Sequence, residues 1–232
     1  IEIGGKPILW HIMKMYAAYG HNEFIVCCGY KGYVIKEYFY HYFLHNSDMT
    51  VDLSNNDLTI HNSNAENFKV TLVDTGLETM TAGRLKRVQQ YIGEERFLLT
   101  YGDGVCDINM DEQLKFHEAK GAACTMSIVQ PGSRFGMIGL DDQDTVTEFA
   151  EKPKEDGTWI NGGFFICEPK TFDYLPDDAD NVMWERYPLE QLTADGQLAA
   201  YRHEGFWKCM DTLRDNIDLN TMWEEHPKWK NW

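Results

Sequence analysis

The sequence predicts an α/β fold in which a mixed, mostly parallel sheet is flanked by helices and a β-hairpin projects from the sheet. Two observations predict this class: amphipathic helical segments alternate with short apolar runs, and glycine or proline bounds many of those runs. Such alternation is typical of parallel strands joined by crossover helices. Because the 232 residues contain no linker, internal repeat or low-complexity stretch, we expect a single domain over 1–232.

The alternation is clearest in the first part of the chain. Pro7 suits the first turn of a helix whose apolar stripe ends at Gly20. The predicted helices span 7–19, 33–43, 83–92 and 110–119, and the predicted strands span 24–29, 69–73, 97–103 and 124–129. A hairpin over 50–62, marked by the turn residues 55–57, interrupts this order. We expect the aromatic stripe of the second helix to pack in the core.

The second part of the chain, after Pro131, carries shorter strands and more glycine. This change predicts that the sheet gains antiparallel members. The predicted strands span 137–140, 146–149, 159–167 and 198–203, and the predicted helices lie near Thr171, over 184–192 and over 212–223.

Composition narrows the possible partners and compartments. The formal net charge is −16, from 21 basic and 37 acidic side chains, and the only basic cluster is 84–87. A field of this sign opposes binding to nucleic acid or to an anionic membrane. No apolar run approaches the roughly 20 residues of a membrane span, and nothing resembles a signal peptide. Six cysteines without a C-x-x-C pair indicate reduced thiols. We therefore expect a soluble, cytoplasmic protein.

The segment 97–104 is the most informative one. A short apolar run ends in Asp103, which is set between Gly102 and Gly104. In open α/β sheets, ligands bind outside the carboxyl ends of such buried strands, and this makes Asp103 the first candidate for chemistry. Read locally, the same residues also fit an ordinary β-turn.

Three further segments lie at predicted strand ends or sharp turns. Gly83, at a predicted helix start, would let main-chain N–H groups approach an anion or a nucleobase, or it marks a helix with a solvated basic face. Lys152, held extended by the following proline, would meet a phosphate while Glu151 accepts from hydroxyl groups, or the two form a surface ion pair beside a β-bulge. Asp211 would bind a metal or cap the final helix. Two separated aspartates suit Mg²⁺, which substrate phosphates and water complete.

Taken in order, several motifs resemble the glucose-1-phosphate cytidylyltransferase family of sugar nucleotidyltransferases, and the resemblance covers essentially the whole chain. The motifs that carry it are Ile3–Ile8, Thr81–Lys86, Thr100–Gly104, Glu151–Lys154, Asn161–Phe165 and Met210–Arg214. Each motif is weak by itself, whereas their order and spacing are specific. The resemblance implies a Rossmann-like nucleotidyltransferase fold. It also implies that CTP and α-D-glucose 1-phosphate give CDP-glucose and pyrophosphate, for the synthesis of deoxysugars of bacterial surface polysaccharide.

The resemblance also implies roles for individual residues. Asp103 and Asp211 would hold Mg²⁺, and Lys152 would hold the sugar phosphate. The remaining expected substrate-binding and nucleotide-binding residues are Glu151, Asn161 and Gly162 toward the glucose hydroxyls, Thr81, Gly83 and Arg84 toward the cytidine, and Tyr101 and Gly102 near the nucleoside. No nucleophilic side chain is required, because alignment and charge stabilisation suffice for transfer between two bound substrates.

One departure concerns the start of the chain. The family begins with a strand and a loop of the form G-G-x-G-T-R-L, followed by P-K-P, which together grip the nucleotide phosphates. This sequence begins at Ile1, after that region, and Lys6 does not correspond to the family's lysine. We expect either a fragment of a longer protein or a natural loss of the loop. A protein that starts at Ile1 is expected to be inactive and poorly folded.

Other functions stay open on the sequence alone. A related nucleotidyltransferase that uses UTP, dTTP or GTP would share Asp103, Lys152 and Asp211, and the segment 81–86 would distinguish it. A homologue without the loop could instead bind a sugar nucleotide without catalysis. The resemblance implies a homo-oligomer, and the aromatic helix 33–43 and the hairpin 50–62 are candidates for its contacts.

Overall fold

The computed structural model describes residues 1–131, 137–140, 143, 146–150 and 158–232. The chain forms two compact units. The first unit comprises Ile1–Gly20, Arg96–Thr171 and Leu192–Trp232, and the second comprises His21–Glu95 and Phe172–Gln191. The single domain expected over 1–232 stays a prediction.

Strands and helices alternate along the described residues. The strands are β1 (Glu2–Ile3), β2 (Lys6–Pro7), β3 (Glu23–Cys28), β4 (Ser47–Asp52), β5 (Asp57–Ser63), β6 (Lys69–Asp74), β7 (Phe97–Thr100), β8 (Gly104–Cys106), β9 (Cys124–Val129), β10 (Met137–Leu140), β11 (Val146–Ala150), β12 (Ile160–Cys167), β13 (Leu198–His203) and β14 (Trp207–Cys209). The helices are α1 (Ile8–Ala17), α2 (Gly32–His45), α3 (Thr81–Ile92), α4 (Met110–Lys120), α5 (Tyr187–Ala194) and α6 (Leu213–Glu225). None of these helices is both long enough and apolar enough to cross a bilayer.

The first unit is built on a four-stranded sheet with the order β13-β9-β12-β7. β13 runs parallel to β9, whereas β12 lies between β9 and β7 and is antiparallel to both. The prediction that the later strands bring antiparallel members into a mixed sheet is therefore confirmed. β8 and β14 form a separate antiparallel pair. The core of this unit includes Ile12, Met13, Met15, Val105, Phe164, Phe165, Ile166, Leu219 and Trp229.

The second unit pairs β3 with β6 in parallel and carries α2, α3 and the β4–β5 hairpin. The hairpin is confirmed. Asn56, in its turn, adopts the left-handed conformation with φ of 60°, which asparagine tolerates better than most residues. Among the described strands, β4 and β5 pair only with each other, and Leu53 at the turn is 85% exposed.

The aromatic helix α2 contradicts the prediction that its aromatic stripe packs in the core. Tyr33 and Tyr40 are 64% and 82% exposed, and Gly32 is the one residue of this helix that is buried. The physical reason is the spacing, because the rings at 38–40 and 42–43 are nearly consecutive and surround the helix axis. A helix at the surface of a protein turns only one stripe toward the core, so rings placed around its circumference include exposed ones.

Three predicted boundaries also move, and each change bears on a candidate site residue. α3 begins at Thr81 rather than at Gly83, so Gly83 lies inside the first turn. The strand expected over 97–103 ends at Thr100, so Asp103 lies between β7 and β8 instead of at the end of a strand. The final helix, expected over 212–223, spans Leu213–Glu225. Thr212 caps it, because its hydroxyl accepts from the main-chain N–H of Asp215.

Candidate active site

The β8–β14 ladder brings Asp103 and Asp211 to the same end of one strand pair. Gly104 at the start of β8 lies opposite Cys209 at the end of β14. The next pair outward continues this register, because the main-chain N–H of Met210 donates to the carbonyl of Asp103 at 2.8 Å. Since the two strands are antiparallel, the residue before β8 and the residues after β14 meet at one edge. Asp103 and Asp211 therefore lie at the same edge of this strand pair, although they are far apart in the sequence.

The electrostatics of this pair agree with its geometry. Partial desolvation, followed by the nearby charge of Asp211, raises the pKa of Asp103, although a main-chain hydrogen bond lowers it. A carboxylate whose ionised form is disfavoured by a neighbouring carboxylate suits a divalent cation. Among the described residues, no group of three or more His, Cys, Asp or Glu side chains is arranged to hold a metal ion. Mg²⁺ is usually bound through one or two carboxylates together with water and substrate phosphates, and a pair of aspartates fits that ligand set.

The helix cap beside Asp211 is supplied by other residues. Thr212 and Asp215 form a reciprocal capping box: the Thr212 hydroxyl accepts from the N–H of Asp215, and the Asp215 carboxylate accepts from the N–H of Thr212 at 3.0 Å. Lys208 on β14 contacts Asp215 at 3.5 Å and Asp218 at 2.9 Å. The interpretation of Asp211 as the helix cap is therefore wrong. Its carboxylate is instead within 3.2 Å of the Cys209 thiol.

Asn161 and the two glycines that follow it form an irregularity in β12. The register between β12 and β9 shifts between Asn161 and Phe165. The side-chain oxygen of Asn161 accepts from the N–H of Gly163 at 2.8 Å, and its amide nitrogen donates to the Tyr101 hydroxyl at 3.1 Å. The main-chain N–H of Tyr101 donates to the carbonyl of Gly163 at 3.1 Å. The structure thus brings two predicted site residues, Asn161 and Tyr101, into direct contact.

Gly163 explains why this segment contains glycine. Its φ of +78° lies in the left-handed region, and a Cβ there would come within 2.6 Å of the Tyr101 ring. Only glycine meets both conditions without strain. The group that closely approaches Gly163 is therefore the Tyr101 ring.

Trp207 was not predicted as a site residue, although it lies in the segment that contains Asp211. Its indole N–H donates to the carbonyl of Gly162 at 2.7 Å. The bond connects β14, which leads to Asp211, with the irregular part of β12. The one local signal was a tryptophan four residues before a candidate metal ligand, and no spacing rule identifies its partner.

The segment 81–84 lies in the second unit and is held by residues of that unit. The Thr81 hydroxyl donates to Glu185 at 2.9 Å and accepts from the N–H of Trp184 at 2.7 Å. A Cβ on Gly83 would lie 2.6 Å from the Cα of Asp180, so the close approach at this glycine is made by the main chain.

Arg84 turns toward the residues that follow β3 and β6. Its guanidinium donates to the Thr75 hydroxyl at 2.7 Å and to the carbonyls of Cys28 and Leu77 at 3.4 Å. A Cβ on Gly29 would lie 2.5 Å from this guanidinium. The side chain therefore supports two loops of the second unit.

The remaining predicted site residues have simpler outcomes. Gly102 is exposed and directly precedes Asp103. Glu151 and Lys152 lie outside the described residues.

Comparisons with known proteins identify the family of the chain and its fold. The nucleotidyl transferase family model matches residues 1–225. Glucose-1-phosphate cytidylyltransferases of Salmonella typhi and Salmonella typhimurium are each 50% identical to the chain over 234 residues, which cover 100% of this chain and 90% of theirs. The crystal structure of HddC from Yersinia pseudotuberculosis superposes with a TM-score of 0.68 at 21% identity, covering 96% of this chain and 88% of that one. That likeness confirms the predicted fold class.

The family resemblance and the enzyme class predicted from the motifs are thereby confirmed. A family model that matches nearly the whole chain, and relatives that share half of its residues over their aligned length, place it plainly: the chain belongs to the nucleotidyl transferase family.

Proposed function

We propose that this nucleotidyltransferase transfers the cytidylyl group of CTP to α-D-glucose 1-phosphate and thereby forms CDP-glucose and pyrophosphate. The observation that carries the proposal is the 50% identity, over the full chain, with proteins named glucose-1-phosphate cytidylyltransferase. In this reaction a phosphate oxygen of the sugar attacks the α-phosphorus of CTP. The new P–O bond forms as the bond to the β-phosphate breaks, and pyrophosphate carries away the negative charge.

Asp103 and Asp211 are the proposed ligands of Mg²⁺. Bound there, the ion would offset the charge that the triphosphate and the sugar phosphate bring together. The register of β8 and β14 supports this assignment, because it holds both carboxylates at one edge through the Met210–Asp103 hydrogen bond. The fixed main chain limits how far either carboxylate can move as phosphates enter.

Asn161 and Gly162 are the proposed contacts of the glucose hydroxyls, together with Glu151, and Lys152 is the proposed contact of the sugar phosphate. The internal bonds of the Asn161 amide support its part. Among the described residues, its oxygen accepts from Gly163 and its nitrogen donates to Tyr101, which leaves one N–H and one oxygen lone pair to meet a hydroxyl group. A hydroxyl both donates and accepts, so this pair matches its two functions.

The proposed nucleotide-binding residues are Thr81, Gly83, Arg84, Tyr101 and Gly102. Two of these side chains hold neighbouring residues in place. Arg84 holds the loops after β3 and β6, and Tyr101 orients the Asn161 amide. We therefore propose that each of these side chains contributes by holding its own neighbours in place rather than by a direct bond with the cytosine.

The wider biological setting follows from the same proposal. We propose a cytoplasmic enzyme that works as a homo-oligomer and supplies CDP-glucose for deoxysugars of O-antigen in lipopolysaccharide. The exposed rings of α2, such as Tyr33 and Tyr40, support an interface on the second unit.

The proposal is tested by assaying the complete product of the gene with glucose 1-phosphate, Mg²⁺ and each of CTP, UTP, dTTP and GTP. Pyrophosphate release measures turnover, and mass spectrometry identifies the sugar nucleotide. We expect CTP to give the highest kcat/KM and CDP-glucose as the product. A preference for another nucleotide would support the related transferases instead. Tight binding of CDP-glucose without pyrophosphate release would identify a binding protein and contradict the proposal.

A further inference from the structure

We propose that Trp207 is a positioning residue, which fixes the sugar-binding segment of β12 relative to the strand that leads to Asp211. The inference rests on the proposed function, since it assumes that Asn161 and Gly162 contact the sugar. It concerns a residue whose type and spacing carry no known chemistry. Trp207 would act through one hydrogen bond, to Gly162, which stabilises an irregular part of β12.

The first step is the position of Trp207 in the β8–β14 pair. Trp207 begins β14 and lies opposite Cys106, whereas Cys209 at the other end of this strand lies opposite Gly104. The main chain of Trp207 is thus held in the same ladder that orients Asp103 and Asp211. A Cβ on Gly104 would lie 3.8 Å from the indole nitrogen, so the ring passes beside the residue that follows Asp103.

The indole of Trp207 holds an irregular part of β12. β12 loses its regular pairing with β9 between Asn161 and Phe165. Main-chain groups in such an irregularity need partners outside the ladder. The carbonyl of Gly162 receives the Trp207 indole N–H at 2.7 Å, and the carbonyl of Gly163 receives the N–H of Tyr101 at 3.1 Å.

On its other side, the irregular segment of β12 is restricted by β9. A Cβ on Gly162 would lie 3.0 Å from a methyl group of Val129 and 3.1 Å from the carbonyl oxygen of Ser127. β9 therefore limits movement in one direction, and the indole bond to Trp207 holds the carbonyl. Because Gly162 is buried and Trp207 is half-buried, water has limited access to replace that bond.

Together these contacts give Trp207 a defined task. Transfer requires the sugar phosphate oxygen to meet the α-phosphorus in line, and small displacements of a bound substrate lower the rate strongly. The indole N–H couples the segment that would hold the sugar to the strand that orients the proposed metal ligands. Trp207 itself need not contact the substrate to act in this way.

The test compares Trp207→Phe with the wild type in the complete product of the gene. The phenyl ring retains most of the apolar surface but cannot donate a hydrogen bond to Gly162. We expect the KM for glucose 1-phosphate to rise about tenfold, which corresponds to the loss of one hydrogen bond, while the KM for CTP changes less than about twofold. Trp207→His, whose ring can still donate, should show a smaller rise.

Trp229→Phe is the matched control. It also removes an indole N–H. The indole nitrogen of Trp229, in the C-terminal part of the chain, lies 3.4 Å from Nδ1 of His11. Trp229 is fully buried, so its replacement should lower the melting temperature at least as much as Trp207→Phe while leaving both KM values unchanged.

Deoxyglucose 1-phosphates provide a readout that a merely structural role would not change. If the indole positions the sugar contacts, Trp207→Phe should weaken the discrimination between glucose 1-phosphate and at least one deoxy analogue. Equal increases in the KM of both substrates, or unchanged discrimination against every analogue, would overturn the inference.

A failure of this inference can be told apart from a failure of the proposed function. If the wild type transfers no cytidylyl group, the proposed function fails. Calorimetric binding of glucose 1-phosphate to the wild type, Trp207→Phe and Trp229→Phe would then test the inference directly. Weaker binding by Trp207→Phe alone would support it, and equal binding by all three would contradict it.

Discussion

The main-chain N–H of Met210 donates to the carbonyl of Asp103 at 2.8 Å. This bond links Asp103, one proposed metal ligand, to the residue that precedes Asp211, the other. It extends the β8–β14 ladder by one pair beyond Gly104 and Cys209. The main-chain register of this strand pair thereby places both aspartates at one edge. The strand pair fixes where the main chain of each aspartate lies.

The capping box of α6 should contribute to this arrangement. Asp215 is 8% exposed and bonds both Thr212 and Lys208, next to Asp211. We expect Asp215→Ala to lower the free energy of unfolding by about 1–2 kcal/mol, as is usual for a lost cap, and to raise the Mg²⁺ concentration required for half-maximal activity.

Asp218→Ala provides the control for that prediction. It removes the other carboxylate that contacts Lys208, at 2.9 Å, but leaves the cap intact. As a more exposed ion pair it should cost only about 0–1 kcal/mol. Urea denaturation measures both variants, and equal effects on stability and on the Mg²⁺ requirement would show that the cap has no special part.

Gly163 should be sensitive to the smallest possible side chain. Gly163→Ala adds a Cβ at 2.6 Å from the Tyr101 ring and also forces a positive φ on alanine. The comparison is Gly196→Ala, because Gly196 has φ of +65° and no atom within 4 Å of the added Cβ. We expect Gly163→Ala to be more destabilising by about 1–3 kcal/mol, the usual cost of overpacking, and to raise the KM for glucose 1-phosphate. Equal losses of stability would mean that the ring moves aside freely.

Gly83 distinguishes two reasons for a glycine in the first turn of α3. Alanine normally stabilises a helix relative to glycine by about 1 kcal/mol. Here the added Cβ would lie 2.6 Å from the Cα of Asp180, so we expect Gly83→Ala to destabilise the protein instead. Urea denaturation in the absence of ligands gives the answer. A more stable variant with an impaired KM for CTP would show that the glycine serves the nucleotide rather than the packing.

His11 should make stability depend on pH. Its ring is fully buried, with Nε2 at 2.8 Å from the carbonyl of Ile3 and Nδ1 at 3.4 Å from the Trp229 indole nitrogen. Burial lowers the pKa of His11, although hydrogen bonds to the main chain of Ile3 and Lys6 raise it. In the unfolded chain a histidine titrates near about 6.5.

The direction of this effect follows from proton binding. Below about pH 6.5, His11 binds a proton in the unfolded chain but stays neutral in the folded protein. The free energy of unfolding therefore falls as the pH drops from about 6.5 toward the lower pKa of the folded state. Above that range His11 adds no pH dependence. Denaturation between pH 7.5 and 5.5 should therefore show a steeper decline for the wild type than for His11→Gln. The exposed His226→Gln should retain the wild-type slope, and identical slopes in all three proteins would refute the role of His11.

The long elements of the fold could be predicted from the sequence, and the short ones that build the site could not. β9 and β13 have the predicted bounds because each is a six-residue apolar or alternating run between turn residues. β8 and β14 have three residues each, too few for any periodicity, yet they set the positions of Asp103 and Asp211. The candidate acids were thus predicted by motif, while their proximity depends on a pairing that only the structure reveals.

The same limit applies to residues whose partners are distant in sequence. Residue type alone left Asp211 as either a metal ligand or the helix cap, whereas the reciprocal bonds of Thr212 and Asp215 show that Thr212 caps the helix. Trp207 bonds a carbonyl on another strand, and no local pattern specifies such a partner. The aromatic residues of α2 indicated burial by composition, but their consecutive placement leaves Tyr33 and Tyr40 exposed.

The most direct test of the account is Mg²⁺-dependent pyrophosphate release by the wild type, Asp103→Asn and Asp211→Asn, with Asp177→Asn as an exposed control. Circular dichroism and a melting curve establish that each variant is folded. We expect CDP-glucose formation to fall by about 100-fold or more in either site variant, because each removes a charge needed to hold the metal, and to be unchanged in the control. Near-normal turnover by folded Asp103→Asn with Mg²⁺ would contradict the assignment of this aspartate pair.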